Sequence, residues 1–188
     1  MRLVSFGDKW VAASVLRNPR RSFLANPIGV LDSLRASSRD AVMQVFDARC
    51  VVSVRQIHAA AVAAYLAFKA GTNISRKMEI ELLLRLAADT QIGRALERPG
   101  VREGTEEVGL CVLANERSLA VRGAEDLARA VGGTEVDDDY LRREDRLARA
   151  IEFYGIEMAE IESVQAKDKA EAILILILER IATLDLKR

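Results

Sequence analysis

Apolar and polar positions change period several times along the chain, and each change marks an element. Arg2 to Phe6 and Trp10 to Leu16 are short apolar runs on either side of Gly7-Asp8, which predicts two strands joined as a hairpin. Arg17 to Arg21, RNPRR, reads as a basic solvated loop, with a phosphate contact as the alternative. Asn26 before Pro27 is a helix start with proline at the first helical position, and that helix runs to about Ser37. Ala41 to Phe46 is apolar on both faces apart from Gln44, as a central strand is. Ser53 to Ala70 predicts a long alanine-rich helix whose small side chains let it press on a sheet or another helix.

Gly71 ends that helix, and Asn73 and Ser75 are both good caps for the next. Met78 to Ala88 carries apolar side chains on more than one face, so most of it is expected to be buried. Lys77, Glu81 and Arg85 fall at i, i+4 and i+8, a polar stripe expected to reach solvent or a partner. After a break at Asp89-Thr90 a second helical piece starts at Gln91, with Ile92 and Ala95 inward and Arg94 and Arg98 outward. Pro99-Gly100 stops it, and Val108 to Ala114 is another buried strand. A short helix from Ala124 to Val131, an edge strand at Thr134 to Val136 and an amphipathic helix from Leu141 to Phe153 follow. Glu157 to Lys169 is charged and read as a solvated turn of helix or loop.

The last element, Ala170 to Leu186, holds six large aliphatics in succession, Ile173 to Leu178. Periodicity alone allows a strand, but the flanks are strong helix formers without turn residues, so a helix is expected. One stripe, Leu174, Ile177, Ile181 and Leu184, serves the chain's own core; Ile173, Leu176, Ala182 and Leu186 fall on other faces. Two readings stand side by side: a helix sunk between two layers, or an apolar face kept for another protein.

Composition narrows the function. At 188 residues and 50% apolar, the chain is long enough for a sizeable core and reads as one α/β domain. Lys+Arg 28 against Asp+Glu 28 leaves no global pull toward nucleic acid, so any RNA contact must come from a local patch. Cys50 and Cys111 sit in apolar runs and are expected to be buried thiols. The single histidine, His58, has no acid at i±4 and reads as a core-edge residue. Asp137 to Asp139 suits an acidic helix N-terminus better than a metal loop. No signal-peptide pattern and no apolar run near the roughly 18 residues of a membrane span is present, so a cytoplasmic protein without a membrane partner is expected. Phosphate-loop, dinucleotide, nucleophile-elbow and zinc-ligand motifs are all missing, so the chain is expected to be no enzyme and to need no cofactor or metal.

Taken in order, the run QVFDARCVVSVRQIHAAAVAAYLAFKAG, then NISRKMEIELLLRLAADTQIGRAL, then VGLCVLAN, resembles the small regulatory subunit of the KEOPS complex, the PRPK-binding protein family. The shared features are a strand ending near Asp47-Ala48, Gln56-Ile57 at the head of a long helix, a helix carrying Glu81, Gln91-Ile92 after a polar break, and the C-terminal helix. The resemblance implies an α/β fold, a mixed sheet of about four to five strands flanked by helices, and a long C-terminal helix at about 168–187. It implies a non-catalytic part in installing threonylcarbamoyl on a tRNA adenosine. Its partners would be the kinase/ATPase-like subunit and the single-stranded 3′ CCA end of tRNA.

On these positions the expected RNA-binding residues are Asn73, Arg76, Lys77, Arg85, Gln91, Ile92 and Arg94. Those expected to bind the kinase-like partner are Ile173, Leu176, Ile177, Arg180 and Leu184. Glu81 is read as an internal partner for Arg85 or a backbone amine. The competing reading is a self-associating structural protein that forms a homodimer through its aliphatic last helix.

Overall fold

The computed structural model of the chain describes residues 1–187, leaving aside the side chains of Leu96 and Lys187. The N-terminal hairpin pairs β1 (Arg2–Phe6) with β2 (Lys9–Arg17), and α1 (Arg21–Ala25) and α2 (Pro27–Ser37) lead to β3 (Ala41–Asp47). Three helices, α3 (Val54–Ala70), α4 (Met78–Ala87) and α5 (Ile92–Glu97), separate β3 from β4 (Glu107–Ala114). Then come α6 (Arg117–Val131), β5 (Thr134–Glu135), α7 (Asp138–Leu141) and α8 (Glu144–Tyr154). α9 (Met158–Ser163), α10 (Lys169–Ala182) and a closing 3-10 turn (Leu184–Lys187) complete the described chain.

The five strands form one sheet in the order β1-β2-β4-β3, with β5 pairing the far end of β2. The class is α/β as expected, but every pairing is antiparallel, not mixed. The reason is visible where β3 ends. Asp47 N–H donates to Pro99 O at 2.8 Å and Ala48 N–H to Glu107 O at 2.9 Å. The long helical excursion is therefore fastened beside the exit of β3, and β4 starts there and runs back along it.

Alternation along the strands splits the core into two layers. Val11, Ala13, Val15, Phe46, Cys111 and Leu113 face α3, α4, α8 and α10. Ala12, Leu16, Met43, Val45, Leu110 and Val112 face α1, α2 and α6. A sheet covered on both faces explains why β2, β3 and β4 read as almost unbroken apolar runs. Gly109, opposite Phe46 in the ladder, lets the Phe46 ring lie across the strand: a Cβ there would come within 2.1 Å of the ring.

Against the helical layer, α3 opens with the Ser53 hydroxyl accepting Arg55 N–H and closes on Gly71 at φ 69°, as its sequence asks. Gln56, wholly buried, donates to the Tyr154 hydroxyl at 2.6 Å, which in turn donates to Leu86 O at 2.6 Å, so one short chain of bonds ties α3, α8 and α4. Buried Arg146 of α8 pairs with Glu107 and donates to Ala48 O and Val51 O at 2.7 and 2.8 Å, locking the β3 exit. His58 is buried with its Nε2 3.3 Å from Arg2 O, and burial depresses its pKa. Cys50 and Cys111 are buried free thiols, pushed by burial up to about 11 and about 12.

Several boundaries differ from the sequence reading. The basic RNPRR stretch runs into the single helical turn α1. α6 starts at Arg117, well before Ala124, although Glu116 offers no side-chain cap. The helix expected from Leu141 is broken into α7 and α8. Asp137 does cap the first of these, accepting Tyr140 N–H at 2.8 Å. Part of the charged 157–169 segment is α9, opened by a Glu157/Glu160 capping box and anchored by buried Ile161. Among the described residues no helix is long and apolar enough to cross a membrane.

Candidate functional site

The two surfaces singled out by sequence lie at opposite ends of one buried ionic network. Glu81, fully buried on α4, accepts the N–H groups of Ile74 and Ser75 at 2.8 Å each with Oε2. Its Oε1 accepts Arg85 Nε at 3.0 Å. Arg85 is 1% exposed and donates to Asp185 at 2.6 Å, in the closing turn. Burial works against the guanidinium's charge, but its hydrogen bonds to Asp185 and Glu81 outweigh that and raise its pKa. Glu81 is thus the internal partner expected of it and braces the loop ahead of α4. Neither Asn73 nor Ser75 caps that helix, which begins after Lys77 without a side-chain cap, while Ser75 Oγ accepts Lys77 N–H at 3.1 Å.

Arg85 is therefore not a surface cation. Its position at i+8 of the polar stripe placed it outward, but the stripe turns into the core, where Asp185 meets it from far along the chain. No local pattern could have named that partner. An acid in the polar break after a long aliphatic helix was the one available signal.

Other residues expected to touch RNA remain on the outside. Arg76 and Lys77 are exposed at the start of α4, and Gln91, Ile92 and Arg94 at the start of α5. Asn73 is half-buried and donates to Ser75 O at 3.0 Å, shaping the loop. Ile74, Leu84, Ala87 and Ala95 share a small apolar cluster, which clasps the 72–77 loop to the α4–α5 side of the molecule. Arg94 pairs with Asp89 at 3.0 Å and is still 58% exposed. Ile92, placed inward by the sequence pattern, is instead 42% exposed, while Ala95 is buried as expected. A groove of about 520 Å³ lined by Ile28, Ile80, Leu83 and Val101 opens on the same side, with Lys77 at its edge. Cations beside apolar platforms are what a single strand with unstacked bases requires.

The last helix is a correction. Ile173, Leu176, Ile177 and Leu184, expected to meet a partner, are 0 to 5% exposed and belong to the core. α10 packs against α3, α4, α8 and α9, and these neighbours take up nearly all of its aliphatic surface. The surplus that suggested a homodimer is thereby interior. Arg180 is half-buried and holds Glu160 at 2.9 Å, joining α10 to α9. What α10 and the closing turn do present outward is Ile175 (38%), Ala182 and Leu186 (82%). Ile175 was hidden within the unbroken Ile-Leu run, since a helix apolar on every side does not say which face is wet.

Among the described residues no group of acids, histidines and cysteines is placed to hold a metal ion. The buried charges, Glu81 with Arg85 and Glu107 with Arg146, are consumed by each other. A family model described as kinase binding protein CGI-121 matches residues 24–185, from α1 through α10. Among curated proteins none matches this chain.

Proposed function

This chain belongs to the family of the kinase binding protein CGI-121, and from that premise we propose that it is a non-catalytic, cytoplasmic accessory subunit of the KEOPS tRNA-modification machinery. It docks the kinase/ATPase-like subunit and helps hold the single-stranded 3′ CCA end of tRNA during threonylcarbamoylation. The observation that carries this reading is the match to a kinase-binding family, which takes in α10. Ile175 and Leu186 are the large apolar side chains that α10 and its closing turn leave exposed, so the docking contact is assigned to them and not to the buried Ile173 or Ile177. The tRNA contact is assigned to Arg76, Lys77, Gln91, Ile92 and Arg94, which stay exposed. With the chain's charges balanced, RNA affinity is modest and falls steeply with salt.

Co-purification with the kinase-like subunit tests the docking half. Ile175→Arg combined with Leu186→Glu should leave the circular-dichroism melt intact and remove the partner, whereas Ile173→Arg should unfold the chain. Retention of the partner by the first variant refutes the assignment. In a gel shift, Arg76→Glu with Arg94→Glu should weaken tRNA retention about tenfold or more at low salt while the kinase-like subunit still binds; unchanged retention removes RNA from this surface.

A further inference from the structure

Arginines from four separate segments converge on one open cleft of about 530 Å³: Arg49 just past β3, Arg98 at the end of α5, Arg102 in the loop beyond it and Arg149 on α8. A second hollow of about 350 Å³ shares Arg49, Arg102 and Arg149, so those guanidiniums stand on the wall between two compartments of one groove. Each is oriented by protein on one edge. Arg98 donates to Phe153 O and lies 3.9 Å over the Phe153 ring, and Arg102 donates to Glu97 O. Arg149 is held by Asp145, and Arg49 by Asp47 at 3.0 Å. A guanidinium has five N–H donors in a rigid fork, so one or two anchoring bonds leave the rest for a ligand.

Arg98 and Arg102 are anchored on neutral carbonyls, so those bonds leave their charge uncancelled. The groove's own carboxylates are Glu97 and Glu152 in the first compartment and Asp47, Glu106 and Glu107 in the second, where Asp47 is already paired with Arg49 and Glu107 with Arg146. Forked donors fixed in a concave wall match the oxygens of phosphate, which they bind in bidentate fashion. The two compartments suit a ligand with phosphates in sequence. Cys50, which also lines the groove, is a buried thiol that burial pushes up to about 11.

We propose that this arginine-walled groove is a binding site for phosphate esters, taking two or more phosphates of a nucleotide or of an RNA strand. It uses none of the residues assigned to the tRNA contact above and stands apart from that reading. Full-length protein titrated at low salt with fluorescent ATP and with a short labelled single-stranded RNA tests it. At least one probe should bind. Arg49→Glu with Arg102→Glu should weaken that binding about tenfold or more, and Glu152→Gln should tighten it about twofold. Should the double reversal unfold the chain, Arg102→Gln alone, at an exposed position, should still weaken binding several-fold. Binding of ATP, competed by tripolyphosphate, marks a nucleotide site; binding of RNA alone marks a strand site. Arg76→Glu with Arg94→Glu should leave ATP binding unchanged, which separates this groove from the tRNA surface. If neither probe binds, or if the Arg49 and Arg102 reversals leave binding as it was, the groove is not a phosphate site.

Discussion

Arg85 carries a full charge at 1% exposure, and it is bearable there because Glu81 and Asp185 supply oxygens at 2.9 and 2.6 Å. Removing one member of a buried pair strands the other, which costs more than the pair itself is worth. Arg85→Met should therefore lower unfolding free energy by about 3–5 kcal/mol in urea titrations. The double variant Arg85→Met with Glu81→Gln should recover more than half of that loss, because the stranded charge is gone while the amide oxygen still serves Ile74 and Ser75. A loss below about 1 kcal/mol in the single variant would mean that water reaches Glu81. The same residue marks the limit of reading from sequence. Glu81 was legible because its partner lies one turn away on its own helix. Arg85 was misplaced because its second partner is a fold-level contact.

For elements, legibility follows how strongly a segment states its environment. β3, β4 and α3 were readable from apolar continuity and from the Ser53 and Gly71 caps. α6 was seen only in part because its first half, RSLAVRG, is weakly apolar and uncapped. α10 was recognised as a helix with an interior and a partner-facing reading both open, and its burial decides for the first. The antiparallel course of the sheet was hidden because it depends on bonds between the Asp47 exit and the returning chain at Pro99 and Glu107. Within β4, Gly109 makes a specific demand: its missing side chain is the space the Phe46 ring occupies. Gly109→Ala should cost about 1–3 kcal/mol of stability, as overpacked positions do. Combined with Phe46→Leu the cost should be well below the sum of the two single changes, since the smaller side chain removes the clash. Strict additivity would show that the strand shifts away from Phe46 instead.

At the scale of the whole molecule, the sheet needs the hairpin as much as the helices. The family match begins at residue 24, yet β2 lies inside the sheet, with Val11, Ala12, Ala13 and Val15 at zero exposure. The two ends of the chain are thus drawn into its middle, β2 by the strand ladder and the closing turn by Asp185. That second attachment gives the protein a reporter of its own. Whatever tugs residues 184–187 outward, a bound subunit or a bulky C-terminal fusion, takes an oxygen from Arg85 and loosens Glu81's grip on the loop at Ile74 and Ser75. Those two amides should then trade their hydrogens for deuterium faster, while the amide of Val112 in β4 keeps its pace. Equal rates in the free and loaded states would mean that the loop and the tail do not feel each other.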